Sequence, residues 1–234
     1  MTNPEFSAPK PFGPLRSFGR VRGRALSSKQ DQLFETLYPS LSIPAEPVGV
    51  LDPYEWMPQA RQAVFEIGFG GGEHLLGQAS LNRDCLFFGA EPFQEGVAKA
   101  LVGIADMALT NVRLLASDAR PVLKALKPAC LDRLVILFPD PWHKSRHNKR
   151  RLIQDDFLQN AYMALRPGGE LRFATDWSAY AAWTLAKITQ HSGFDWLAEA
   201  ASDWRDPPSD HITTRYETKK LGDCRPIFLR FIRR

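Results

Sequence analysis

Short apolar runs alternate with helix-spaced stretches along most of this chain. Ala63–Ile67, Cys85–Ala90, Val112–Ala116, Asp132–Phe138 and Leu171–Ala174 each read as a strand, apolar on both faces and bounded by glycine, proline or an acid. Between them the apolar positions recur at helical spacing. Leu75, Leu76 and Ala79 mark one helix; others are predicted over 94–108, 121–127, 150–165 and 178–191. In the fourth of these, Leu152, Ile153, Phe157, Leu158, Ala161 and Leu165 form the inward face, and Pro167-Gly168-Gly169 stops it. Phe194–Ala198 and Ile227–Ile232 supply two last strands. Strand and helix alternating at short spacing predict an α/β domain with a mainly parallel sheet of seven strands.

The start of the chain follows a different rule. Residues 1–26 carry Lys10, Arg16, Arg20, Arg22 and Arg24 against the single acid Glu5, with prolines at 4, 9, 11 and 14. That composition predicts a basic, flexible arm. The domain proper then spans 27–234. It opens on a short helix capped by Ser27 or Ser28, with Leu33, Phe34 and Leu37 at helical spacing, and a proline-rich connection runs to about residue 60.

Composition narrows the class. The 234 residues are 44% hydrophobic and 24% charged, as in a water-soluble single domain. No apolar stretch is long enough for a membrane span, and no secretory signal is visible. Cys85, Cys130 and Cys224 are odd in number and lack metal-ligand spacing. They predict buried free thiols in a reducing, cytoplasmic setting and no metal site. The net charge of +4 says little by itself; the clustering of the cations says more.

Chemistry gathers at the strand ends. Glu66, Glu91, Asp118, Asp140 and Asp176 fall in or just after successive strands. One such acid is ordinarily a turn former or helix cap. Five along one sheet edge line the crevice where open α/β sheets hold their ligands. The first strand runs into Gly68-Phe69-Gly70-Gly71-Gly72, which brings backbone close to a ligand. Its spacing is not that of a dinucleotide loop: Glu73 stands at the third-glycine slot and Glu66 precedes the loop. Two carboxylates there repel a pyrophosphate. They suit a phosphate-free cofactor bearing an ammonium and a sulfonium, which is S-adenosylmethionine. Glu91 is then placed for ribose hydroxyls and Asp118 for the adenine amino group.

The most informative stretch is Phe138-Pro-Asp140-Pro-Trp142-His-Lys144-Ser-Arg146-His-Asn-Lys149-Arg150-Arg151. Prolines restrict the backbone on both sides of Asp140. The cations Lys144, Arg146, Lys149, Arg150 and Arg151 follow at once, a run that is a solvated surface in most proteins but here adjoins the acid-lined edge and fits a polyanion. Trp142 is equally suited to stacking on a base or to the core.

These residues resemble the bacterial tRNA (guanine-N7-)-methyltransferases. The resemblance is carried by Glu66-Ile-Gly-Phe-Gly-Gly-Gly72, Glu91, Ser117-Asp118-Ala119, Phe138-Pro-Asp-Pro-Trp-His-Lys144, Arg146-His-Asn-Lys-Arg-Arg151, Ala174-Thr-Asp-Trp177 and Thr214-Arg-Tyr-Glu217, and runs from about residue 16 to the C-terminus. It implies a Rossmann-like class I S-adenosylmethionine-dependent methyltransferase fold with helices on both sheet faces. It implies methyl transfer to N7 of a guanosine in tRNA, at position 46 of the variable loop. Glu66, Gly68, Gly70, Gly72, Glu91, Asp118 and Asp140 then match the cofactor site, with Asp140 also the catalytic residue. Lys144, Asp176, Thr214, Arg215, Tyr216 and Glu217 match the substrate site, and Arg146, Lys149, Arg150 and Arg151 are candidate RNA contacts. The competing reading is a methyltransferase for another RNA base or a small molecule. Monomer and homodimer are equally compatible with the sequence.

Overall fold

The computed structural model describes residues 25–234. Of the basic arm expected over 1–26, residues 1–24 therefore lie outside the described residues. Seven strands form one sheet: β1 (Ala63–Ile67), β2 (Leu86–Ala90), β3 (Val112–Leu115), β4 (Leu131–Leu137), β5 (Leu165–Thr175), β6 (Phe194–Trp196) and β7 (Ile227–Arg233). Their order is β3-β2-β1-β4-β5-β7-β6. The first five are parallel, and β7 runs antiparallel to both its neighbours. Strand order reverses between β1 and β4, so a crevice opens beyond their carboxyl ends.

Helices cover both faces: α1 (Ser28–Thr36), α2 (Tyr38–Leu41), α3 (Glu73–Leu81), α4 (Gln94–Asp106), α5 (Ala119–Ala125), α6 (Asp155–Ala164), α7 (Ser178–Gln190) and α8 (Ser202–Arg205). Adjacent positions of β1 serve opposite cores. Phe65 packs with α5, α6 and α7 through Leu123, Phe157 and Tyr180. Val64 packs with α3 and α4 through Leu75, Val97 and Leu101, and Leu33, Phe34 and Leu37 cover this side. Two apolar faces explain why the strands read as continuous apolar runs. Ser27 caps α1 in a reciprocal capping box with Gln30.

Two elements differ from expectation. The helix predicted over 150–165 begins only at Asp155; a 3₁₀ turn, Ser145–Arg150, precedes it. Between them Arg151 and Leu152 are pulled straight, because Arg151 donates to the carbonyl of Pro141 and the amide of Leu152 donates to the Tyr180 hydroxyl. Pro167-Gly168-Gly169 interrupts no helix. It sits inside β5, where pairing with β4 shifts register between Leu131 and Arg133, and Gly168 takes a φ of +73°. Cys85 and Cys130 are buried free thiols, whereas Cys224 is only half-buried. Burial pushes the Cys130 thiol up to about 12.

Candidate active site

The cofactor side is built from β1, β2 and the turn into α3. Gly68, Gly70 and Gly72 all adopt positive φ, at +77°, +56° and +87°, a path open to glycine at little cost. Glu91 fastens this turn. Its two carboxylate oxygens accept from the amides of Gly70 and Phe93, at 2.9 and 2.8 Å. Burial nevertheless pushes the Glu91 carboxyl above its ordinary range, outweighing those two amides, and the negative field of Asp140 adds to the rise. Glu66 is 3% exposed and lies 2.7 Å from Nδ1 of His74 in the first turn of α3.

A cavity of about 610 Å³ lies between this turn and the end of β4, within the size range of small-molecule sites. Glu66, Gly68, Gly70, Glu91 and Asp140 line it, as do Thr214, Arg215 and Tyr216 from the chain before β7. A methyl group at Gly68 or Gly70 would meet no atom within 4 Å; both glycines face open space, as a ligand cradle requires. Cradle and carboxylates fit a cofactor offering hydroxyl and ammonium donors.

Not every expected residue reaches the cavity. Gly72 lies behind it as the cap of α3, where an added methyl would press on Ala100 at 3.2 Å. Asp118 caps α5 and is clasped by Arg120 at 2.6 Å. Burial raises its carboxyl, but the Arg120 guanidinium and amide outweigh this and the net shift is downward. Phe93, Lys99, Phe138 and Lys219 line the cavity without having been expected there. Phe138 stands at the head of the proline–acid motif, and Lys99 left only an i,i+4 pair with Glu95, which is ordinary on any helix.

The end of β4 is strained where the chemistry was expected. Phe138 and Trp142 both carry positive φ, +51° and +45°, on either side of the Pro139-Asp140-Pro141 turn. Such strain on bulky residues persists only where the surroundings enforce it. Phe138 is held by the hydrogen bond its backbone N–H donates to the Ala174 carbonyl and by stacking on Tyr216, with ring centroids 5.4 Å apart. The turn presents Asp140 to the cavity, and desolvation by the cleft raises its carboxyl. Across the sheet Asp176 is 3% exposed; one oxygen accepts from the Gly222 amide at 2.8 Å, and the Tyr216 hydroxyl lies against the same carboxylate.

The basic stretch divides in two. Lys144, Arg146 and Lys149 are exposed on the 3₁₀ turn, and Arg150 lies 5.1 Å above the half-buried Trp142 ring. Trp142 is thus a surface ring joined to the basic turn, and its edge meets His147. Arg151 is the correction. It is 4% exposed, donates to the carbonyls of Pro141 and Ala179, and sits over the rings of Tyr180 and Trp183. A guanidinium enclosed in this way supports the fold and does not reach an RNA phosphate. Glu217 also turns inward, accepting from the Thr214 amide at 2.7 Å and bonding His211. Among the described residues no group of three or more His, Cys, Asp or Glu side chains is placed to hold a metal ion, and no helix is long and apolar enough to cross a membrane.

Known proteins resemble this arrangement at two levels. The fold alone is shared with the 16S rRNA methyltransferase KamB (TM-score 0.53, 14% identity, 82% of this chain and 99% of that one). It is shared equally with a 16S rRNA (adenine(1408)-N(1))-methyltransferase from Catenulisporales acidiphilia (TM-score 0.52, 16% identity, 82% and 97%). Residues 60–229 match the family model described as "Putative methyltransferase". The tRNA (guanine-N(7)-)-methyltransferase of Caulobacter vibrioides is 50% identical over the full length of both chains. That of Hyphomonas neptunium is 48% identical over 93% of this chain and 99% of its own, and that of Rhodospirillum rubrum 44% identical over 96% and 90%. With identity this high across the whole length, the chain belongs to the tRNA (guanine-N(7)-)-methyltransferase family.

Proposed function

We propose that this chain transfers the methyl group of S-adenosylmethionine to N7 of a guanosine in tRNA, at position 46 of the variable loop. The observation that carries this reading is one cavity with two kinds of wall: the glycine turn with Glu66 and Glu91 on one side, and Asp140 with Thr214, Arg215 and Tyr216 on the other, the basic turn following Asp140 along the chain. When bound, S-adenosylmethionine supplies an electrophilic methyl group on a sulfonium. Glu66 and Glu91 offer acceptors to its ammonium and ribose hydroxyls, and the Gly68 and Gly70 backbone leaves room for it.

N7 of guanine already has a lone pair, and no proton has to leave before it attacks. The residues therefore need not include a strong base, and their task is alignment and charge. The purine becomes positive as the new bond forms, and the Asp140 carboxylate is positioned to stabilise that charge. Asp176 is assigned to the N–H edge of guanine from beneath Tyr216, and Thr214, Arg215 and Tyr216 close the cavity over the base. Lys144, Arg146, Lys149 and Arg150 contact phosphates, which fixes the RNA without reading sequence. The arm over residues 1–26 adds further cations to this hold, in a cytoplasmic enzyme.

Incubation of the purified chain with methyl-labelled S-adenosylmethionine and unmodified tRNA tests the reading. Borohydride–aniline treatment is expected to cleave the product at guanosine 46. Label in tRNA without cleavage there would move the methyl group to another atom or site. A second expectation concerns the cradle. A methyl group at Gly96 on α4 would lie 2.3 Å from the Gly70 carbonyl oxygen, so Gly96→Ala must push the glycine turn aside. Overpacking of this kind costs about 1–3 kcal/mol. Calorimetric titration with S-adenosylhomocysteine is expected to show about tenfold weaker binding or worse.

A further inference from the structure

The segment between α8 and β7 does more than supply Thr214–Tyr216 to the cavity. It lies along α3, the helix that opens at the glycine turn, and three successive contacts join them. His74, Gly77 and Gln78 occupy one face of α3, at i, i+3 and i+4. The His74 ring meets the His211 ring with centroids 5.7 Å apart. Gly77 leaves space for Ile212, whose Cδ1 would be 2.5 Å from an added methyl. The Gln78 amide donates to the Asp210 carbonyl. At its root the segment is anchored to the sheet, since Asp210 pairs with Arg172 at 2.7 Å and Arg133 at 3.2 Å.

The histidine contact joins two carboxylate–imidazole pairs. His74 is bonded through Nδ1 to Glu66 at 2.7 Å, and His211 through Nε2 to Glu217 at 3.0 Å. All four side chains are at most 10% exposed. Glu217 in turn accepts from the Thr214 amide at 2.7 Å, and its own amide donates to the Thr214 hydroxyl at 3.3 Å. The series Glu66, His74, His211, Glu217, Thr214 therefore begins and ends in the cavity wall, on its cofactor side and its RNA side respectively. Buried polar groups with their partners in place hold each other in one geometry, and moving one member disturbs the next. The proposed function itself does not use His74 or His211.

We propose that His74 and His211 are positioning residues that couple the two halves of the site: a ligand engaging Glu66 on the cofactor side fixes the 210–217 segment in the form that closes on tRNA, so each ligand raises affinity for the other. This rests on the tRNA and S-adenosylmethionine reading above. Coupling of this type is reciprocal and falls typically between about 5-fold and 150-fold in affinity.

The test is filter binding of unmodified tRNA to the full chain, with and without saturating S-adenosylhomocysteine. Wild type is expected to bind tRNA at least about fivefold more tightly when S-adenosylhomocysteine is present. In His211→Ala and in His74→Ala that ratio is expected to fall to about one, while each ligand still binds by itself. The geometry also dictates the rescuing substitutions. Glutamine places a donor where Nε2 of His211 stands and asparagine one where Nδ1 of His74 stands, so His211→Gln and His74→Asn should restore part of the ratio. A merely structural role would weaken tRNA binding equally in both conditions and leave the ratio intact. A wild-type ratio of one, or an unchanged ratio in both alanine variants, overturns the inference alone, and the wild-type ratio decides even if a variant does not fold. A folded wild-type chain that binds neither ligand overturns the functional reading and this inference with it.

Discussion

Asp140→Ala is expected to lower single-turnover methylation at saturating tRNA by about 10²- to 10³-fold, the loss typical when one preorganised electrostatic contact to developing charge is removed. The binding of tRNA should change far less, because the phosphate contacts assigned to the basic turn are untouched. Asp140→Asn separates the two things the side chain provides. It keeps the shape of the turn between Pro139 and Pro141 and keeps one acceptor oxygen, but it carries no charge. If stabilising the positive purine is the role, the asparagine variant falls nearly as far as alanine; if Asp140 only accepts a hydrogen bond, asparagine retains most of the rate.

The pH profile gives an independent check, with a definite sign. Desolvation by the cleft raises the Asp140 carboxyl above its ordinary range, so the carboxylate begins to be lost at a higher pH than for an unperturbed aspartate, about 4. The rate is therefore expected to fall on the acid side with a midpoint above that value, and this limb should vanish in Asp140→Asn. The same raised carboxyl bears on stability in the opposite sense. Folding stability associated with this group is fully present below the unfolded value and is lost as pH rises through the folded one. An enzyme most active where this one group is least stabilising has placed its charge for chemistry. Near-wild-type turnover in Asp140→Ala would remove the residue from the mechanism altogether.

The parts of this site that were legible in the sequence share a property. Glu66, Glu91 and Asp140 are polar groups set against apolar runs, and a parallel strand buried on both faces makes any such interruption conspicuous. The crevice follows from the same pattern, because strands separated by helices must turn at one edge. What was not legible depends on contacts between distant parts of the chain. Glu217 belongs to the matched Thr214-Arg-Tyr-Glu segment, but its inward turn is decided by His211, which itself packs against His74 on α3. The fold-level misses have the same cause. Asp155 and not Arg150 starts α6 because Tyr180, far along the chain, takes the Leu152 amide. The antiparallel entry of β7 between β5 and β6 leaves no periodicity by which strand direction could be read.

Arg151 makes the sharpest case, since it is indistinguishable by type from its neighbours yet should behave oppositely. Replacing Lys144, Arg146, Lys149 and Arg150 together by alanine is expected to flatten the dependence of log affinity for tRNA on log salt by about 3, taking a slope of roughly 0.7 to 0.9 per lost phosphate contact. The folded domain should survive, because three of these side chains are exposed and the fourth lies over a surface ring. Arg151→Ala should leave the salt slope where it is. It removes the donor for the Pro141 and Ala179 carbonyls and empties the space between Tyr180, Trp183 and the end of the basic turn. Orphaned acceptors and lost packing together cost about 3 kcal/mol, read as a lower urea midpoint. Because the Pro141 carbonyl belongs to the turn that carries Asp140, methylation should also slow in this variant even where it remains folded. A salt slope that drops by about 0.7 or more in Arg151→Ala, with an unchanged urea midpoint, would place its guanidinium on the RNA after all.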